Sequence, residues 1–277
     1  MDAINQDFLH ELQKSHATSV TPGQALYKEN DNSSQQVYFV LHGELEVYRG
    51  ENYLLTLGEG QFGGLLSGLL SDKYHETAVA GKSGAKVVFF SAATFEQLLM
   101  QNHQFGLAMI SKALNFLSNV HHRVVNYSID HMLPRELEAR IKTKINSLRH
   151  LNMQIPEELY SMRRRPFRPK EYIFHETEDR DQNTYLIIDG SFQVRKKIRG
   201  HEVPVFNLSP GDLLAFFPGV KKLPRDLSLF TLTKQSGNLM VLDRELINNI
   251  ARSNPHLLYS LFESILLNLY LRVRLLN

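Results

Sequence analysis

The sequence predicts a mainly β fold with helices, built as two tandem, jelly-roll-like β-rolls, each followed by an α-helix. Three observations carry this expectation. The chain repeats itself at a nearly fixed offset, each copy reads as short strands between turn residues, and each copy closes on an apolar helix. VTPGQALYKENDNSSQQVYFVLHGELEV (20–47) aligns with FRPKEYIFHETEDRDQNTYLIIDGSFQV (167–194). Pro22, Glu29, Tyr38, Gly43 and Val47 fall on Pro169, Glu176, Tyr185, Gly190 and Val194, all at an offset of 147. Further on, KVVFFSAATFEQLLMQNHQF (86–105) aligns with NLMVLDRELINNIARSNPHL (238–257) at an offset of 152. A longer hairpin around KKIRGHEV in the second copy accounts for the shift of five.

The elements follow in order. Phe8, Leu9 and Leu12 put apolar residues on one side of a short N-terminal helix. In the first copy, QVYFVLHGELEVYRG gives a β-rich run, a glycine turn and renewed alternation at Leu45 and Val47. Regularly spaced short strands of this kind suggest a small antiparallel sandwich or barrel. Residues 104–127 then place Phe105, Met109, Leu117, Val120 and Val124 near helical spacing. Asp130 can cap a following linker helix, Pro134 fits its first turn, and Leu137, Ile141, Ile145 and Leu148 form its stripe. NTYLIIDGSFQVRKK repeats the strand pattern, and 256–277 is the second apolar helix. The expected domains are 1–127, a helical linker 128–160, and 161–277.

Composition narrows the function. The 277 residues carry a net charge of only +2, which does not announce a nucleic-acid binder. There are no cysteines, which removes disulfides, thiolate metal sites and cysteine nucleophiles, and fits a reducing, cytoplasmic setting. The start lacks the pattern of a secretory signal, and no apolar run reaches spanning length, so no transmembrane segment is expected. Twelve histidines include no H-x-H and no H-E-x-x-H, and adjacent His121 and His122 face different directions on their helix. No metal site is expected. Neither a nucleophile elbow nor a P-loop occurs, and no enzyme is expected.

Gly43, GEGQFGG (58–64) and Ala80 in the first copy, with Gly190, SPGDLL (209–214) and PRDLS (224–228) in the second, resemble the cyclic nucleotide-binding domain. The resemblance covers nearly the whole chain, as two copies. That family's phosphate-binding cassette runs roughly F-G-E-L-A-L, then P-R-x-A-S/T-V. Glycine lets the backbone approach the ligand, and amides at the start of a short helix face the phosphate. Arginine adds charge-assisted bonds, and glutamate accepts from the ribose hydroxyl. The resemblance implies a second ligand site formed by Gly211, Leu214, Ala215, Phe216, Arg225 and Ser228. Ala215 stands at the glycine position and Phe216 at that of glutamate, while Pro224, Arg225 and Ser228 keep their spacing. Phe216 and Phe217 are expected to plug the sugar's space.

The first cassette would offer Phe62, Gly63, Gly64, Tyr74, His75 and Thr77. Gly64, or Leu65 in a shifted register, replaces the acid; Lys73, Tyr74 or His75 takes the basic position, with Thr77 and Ala80 favouring Tyr74. A hydrogen bond to a charged group contributes about 1.5–3 kcal/mol, so losing the glutamate weakens binding roughly tenfold to 150-fold.

The implied ligand is cAMP, cGMP or a cyclic dinucleotide such as cyclic di-GMP, with no other cofactor. The implied protein is a regulatory, signalling one acting on a protein partner. Its ligand would pull on a short helix near 213–219 and repack the C-terminal helix, which could also form a homodimer. The competing expectation is a ligand-free module for dimerisation or docking, with pockets sealed by Phe216 or Leu65. Residues 123–170 carry a local net charge of +6. Their basic run MRRRPFRPK (162–170) reads as a docking surface ahead of a nucleic-acid site, with Phe167 and Pro169 built into a strand.

Overall fold

Alternation of apolar residues and punctuation by glycine produce the strands of both rolls. A computed structural model of the chain describes residues 16–70, 73–131, 163–176, 183–198, 200–214 and 227–273. It divides into two compact units, one through Met109 and one from Ile110. The N-terminal helix, the stripe at 137–148 and the cassette residues 215–226 lie outside the described residues.

In the first unit, β1 (Ala17–Val20), β2 (Ala25–Tyr27), β3 (Gln36–Arg49), β4 (Asn52–Gly58), β5 (Phe62–Gly63) and β6 (Thr77–Ser91) make one antiparallel sheet. Its order is β1-β6-β3-β4, with β2 on β6 and β5 on β3. Between β5 and β6 runs α1 (Leu65–Leu70). Gly43 does not end a strand but kinks β3 as it passes through the sheet. Its φ is +75°, and a Cβ there would stand 2.1 Å from the Gly84 carbonyl oxygen. Only glycine satisfies both demands.

Helices α2 (Ala92–Gln101) and α3 (His103–His131) follow. Phe62 anchors their packing, with ring centroids 4.9 Å from Phe39, 5.3 Å from Phe95 and 5.5 Å from Phe105. Met109, Leu117 and Val120 are buried as their spacing predicts. Asp130 differs from expectation: α3 continues through it to His131, so it lies inside that helix.

The second unit repeats the plan. Strands β11 (His201–Leu208), β10 (Phe192–Ile198), β13 (Ser228–Thr231) and β8 (Tyr172–Phe174) form one antiparallel sheet. Strands β12 (Leu213–Leu214), β9 (Thr184–Ile187), β14 (Gly237–Leu242) and β7 (Arg164–Phe167) form another. Helices α4 (Arg244–Ser253) and α5 (Pro255–Val273) close it.

Matching hydrogen bonds establish the duplication. Val40 N–H donates to Gln61 and Gly60 N–H to Val40; Ile187 N–H donates to Asp212 and Gly211 N–H to Ile187. Tyr48 pairs with Thr77 as Arg195 pairs with Ser228. The offset is therefore already 151 at Ser228, so the longer β10–β11 hairpin supplies four of the five extra residues. Capping repeats too. Ser91 accepts from Thr94 N–H and Asp243 from Leu246 N–H, opening α2 and α4. Asn102 and Asn254 each end one helix with a backbone N–H, to Leu98 and Ile250, and open the next with a side-chain oxygen, to Phe105 and Leu257.

Part of the basic run is built into this framework, while Arg164, Arg168 and Lys170 stay exposed. Arg163 pairs with Asp243 at 2.6 Å, and Arg165 donates to the Tyr185 hydroxyl and, at 2.6 Å, to the Ile173 carbonyl. Phe167 is buried edge-on to Phe192, with centroids 4.8 Å apart.

Candidate ligand sites in the two rolls

Strand pairing places the cassette residues. In the first roll Gly63 lies opposite Tyr38 on β3, and the Tyr38 ring covers that glycine so closely that a Cβ would be 2.2 Å from Cζ. Gly64 follows at φ +67°, 3.1 Å from the same ring by the same measure, and turns the chain into α1. The backbone that glycine leaves open is thus covered by an aromatic side chain of the protein itself.

Three tyrosines fill the space. Tyr27 stacks on Tyr74 with centroids 3.5 Å apart and planes 9° apart, and its ring lies 5.8 Å from that of Tyr38. All three are buried. Tyr74, which sequence favours over Lys73 and His75 for the basic position, is buried here, and burial pushes its hydroxyl up to about 12. Burial also raises the Tyr27 and Tyr38 hydroxyls, so all three stay neutral.

Glu76 completes the group, and motif reasoning passed over it. It is 6% exposed. Tyr27 Oη donates to its Oε1 at 3.3 Å and Ser67 Oγ to its Oε2 at 3.0 Å. Burial pushes its carboxyl above the ordinary 4.5, while those two hydroxyls and the Arg49 charge oppose the shift by favouring the ionised form. His75 contributes its backbone N–H, which donates to Ser67 Oγ at 3.0 Å.

Thr77 and Ser228, read as ligand hydroxyls, share another task. Thr77 Oγ1 accepts from Glu29 N–H at 3.0 Å, and Ser228 Oγ accepts from Glu176 N–H at 2.9 Å. The carboxylates of Glu29 and Glu176 then accept from Gly50 and Lys197 N–H, fastening the equivalent hairpins. Ser228 is buried and also donates to Glu202 at 3.4 Å. Around it, Arg195 lies over the Phe230 ring at 4.0 Å and donates to the Tyr172 hydroxyl, which in turn bonds Glu202.

In the second roll, Leu214 lies opposite Tyr185, the place Gly63 holds opposite Tyr38. This ladder sets the two copies one residue apart from the motif alignment, so Ala215 follows Leu214 as Gly64 follows Gly63. Neither register puts a carboxylate at the ribose position. Leu213 and Leu214 form strand β12, so the short helix expected near 213–219 does not begin at 213. Ala215, Phe216 and Arg225 lie outside the described residues.

Gly211 and Leu214 sit on either side of a contact with α5 that sequence reading missed. Asn268, fully buried, accepts from Leu213 N–H at 2.8 Å and donates to the Gly211 carbonyl at 3.2 Å. Asp212 holds the turn from Ser209 to Asp212 by accepting from Ser209 N–H at 2.7 Å. A lone asparagine on the apolar stripe of NLYL was the available signal. Among the described residues, no group of side chains suits a metal ion and no helix is long and apolar enough to cross a membrane.

Duplicated rolls, each with a strand–turn segment where a cassette would sit, define a tandem β-roll architecture. The sequence profile of the cyclic nucleotide-binding domain matches residues 17–102 and 164–254, and the chain belongs to that family. No curated protein matches the sequence. Similar solved structures include cAMP-bound PfPKA-R (141-441), at 17% identity and TM-score 0.35, covering 90% of this chain and 76% of that one. The regulatory domain of Toxoplasma gondii PKA with cAMP is 16% identical with TM-score 0.32, covering 92% and 88%. The regulatory subunit of a cAMP-independent protein kinase A from Trypanosoma brucei is 13% identical with TM-score 0.33, covering 86% and 75%.

Proposed function

We propose that this is a non-enzymatic regulatory protein whose second roll senses a cyclic nucleotide, or a related anionic ligand, and switches a protein partner through α5. The Asn268 clamp is the observation that carries the reading. It ties the C-terminal helix to backbone on both sides of Asp212, immediately before the cassette. Anything that pulls on 215–226 also pulls on this clamp. A ligand shifts the helix only by preferring one arrangement over the other.

The cation assigned to the ligand is Arg225. It stands three residues before Ser228, as Tyr74 stands three before Thr77, so the second copy carries a charge where the first has an aromatic ring. The proposed boundaries remain 1–127, 128–160 and 161–277. A second reading, a ligand-free module for dimerisation or docking, is favoured by the Tyr38 ring over Gly63 and Gly64.

Calorimetry with cAMP, cGMP and cyclic di-GMP separates the two. The sensing reading expects saturable heat from at least one, lost in Arg225→Ala. It also expects Asn268→Leu to keep binding while ligand no longer changes amide exchange in α5. Heats absent from wild type, or equal in wild type and Arg225→Ala, reject Arg225 as anchor and leave the docking module.

A further inference from the structure

The interior of the first roll contains the parts of an anion-binding site with the anion already in it. Two hydroxyl donors from separate elements converge on one carboxylate: Tyr27 on β2 reaches Oε1 and Ser67 on α1 reaches Oε2. Each donor is oriented from behind. His75 N–H donates to Ser67 Oγ, which leaves the serine proton free to point at Glu76. The Tyr38 hydroxyl lies 3.2 Å from that of Tyr27, so Tyr38 can donate to Tyr27 while Tyr27 donates onward. Arg49, buried at the end of β3, supplies positive charge nearby. Two ordered donor chains and a cation are what a carboxylate or phosphate requires in a dry interior.

We infer that the first roll is a self-occupied anion site: the Glu76 carboxylate is its permanent ligand, Tyr38 is the lid over the glycine turn, and the roll takes no cyclic nucleotide. The second copy supports this by contrast. Glu76 directly precedes Thr77 as Leu227 directly precedes Ser228, and Leu227 is buried and carries no acid. Tyr27 matches Phe174 at the offset of 147, so the hydroxyl that holds the acid is missing there as well. Acid and donor occur together in one roll and are absent together from the other. The inference stands whether or not the second roll binds a nucleotide.

Chemical rescue tests it. Glu76→Ala leaves a carboxylate-sized space facing Ser67 and Tyr27. Sodium formate should raise the melting temperature of this variant saturably, beyond sodium chloride at equal ionic strength. Wild type and Glu76→Gln should respond equally to the two salts. In wild type, amide resonances of Gly63, Gly64 and Ser67 should stay unmoved by cAMP or inorganic phosphate. A Glu76→Ala protein that formate stabilises no better than chloride, folded or not, overturns the inference. So does a saturable cAMP- or phosphate-induced shift of those three amides in wild type.

Discussion

The two rolls share a backbone and differ in what their interiors hold. In the first, Tyr27, Tyr38 and Tyr74 enclose Glu76. In the second, the matching positions are Phe174, Tyr185, Arg225 and Leu227. Three of those four positions differ, and each difference alters charge or hydrogen bonding, while the surrounding ladders stay in register. The same pair of hydroxyl-to-backbone bonds fixes both hairpins, through Thr77 and Ser228. Duplication therefore kept matching ladder and hairpin bonds in the two copies while the residues at these four positions diverged in sequence.

The scaffold side of this comparison breaks most visibly at the glycine kinks. Gly43→Ala forces a Cβ against the Gly84 backbone, and the expected cost is about 3 kcal/mol or more by denaturant unfolding. Gly190 has a similar φ of +78° but meets only side chains, at 3.2 Å, so Gly190→Ala should cost about 1–2 kcal/mol. Equal costs would show that the two kinks are held alike after all.

The interior side is sharpened by pH. The folded Glu76 carboxyl lies above its ordinary 4.5, so the folded state binds its proton more tightly than the unfolded chain. Its contribution is fully present below 4.5 and is lost as pH rises through the higher folded value. The facing groups are Arg49, Ser67, Tyr27, Tyr38 and Tyr74, and the tyrosines stay neutral across that window. The stability of wild type minus that of Glu76→Gln should therefore fall as pH climbs from 4.5 toward neutrality. A difference that rises would place the carboxyl below its ordinary value.

The smallest effect tests what the rolls share. Thr77→Val and Ser228→Ala each strand one glutamate N–H, and each should cost about 1 kcal/mol. A markedly larger loss at Ser228, measured without ligand, would assign it a structural load beyond the hairpin.

Much of the scaffold is written locally. The offsets of 147 and 152 and the alternation of apolar residues appear where expected, and the caps at Ser91 and Asp243, found only in the structure, are equally local. The filled site is harder to read because its residues come from four distant segments. Glu76 sits in KYHET, which looks like a polar turn when read alone. Alignment at 151 would have set it beside Leu227 and flagged an acid in a core slot, but that offset emerges only from strand pairing. Asn268 was hidden differently: one polar residue among leucines gives no hint that its partners lie more than fifty residues upstream.

The asparagines between paired helices have a mechanical consequence. Because Asn102 and Asn254 each finish one helix and start the next, no slack chain separates the two cylinders. Swinging the longer arm must be absorbed by the torsions of a single amino acid, so each joint behaves as a knuckle and not as a tether.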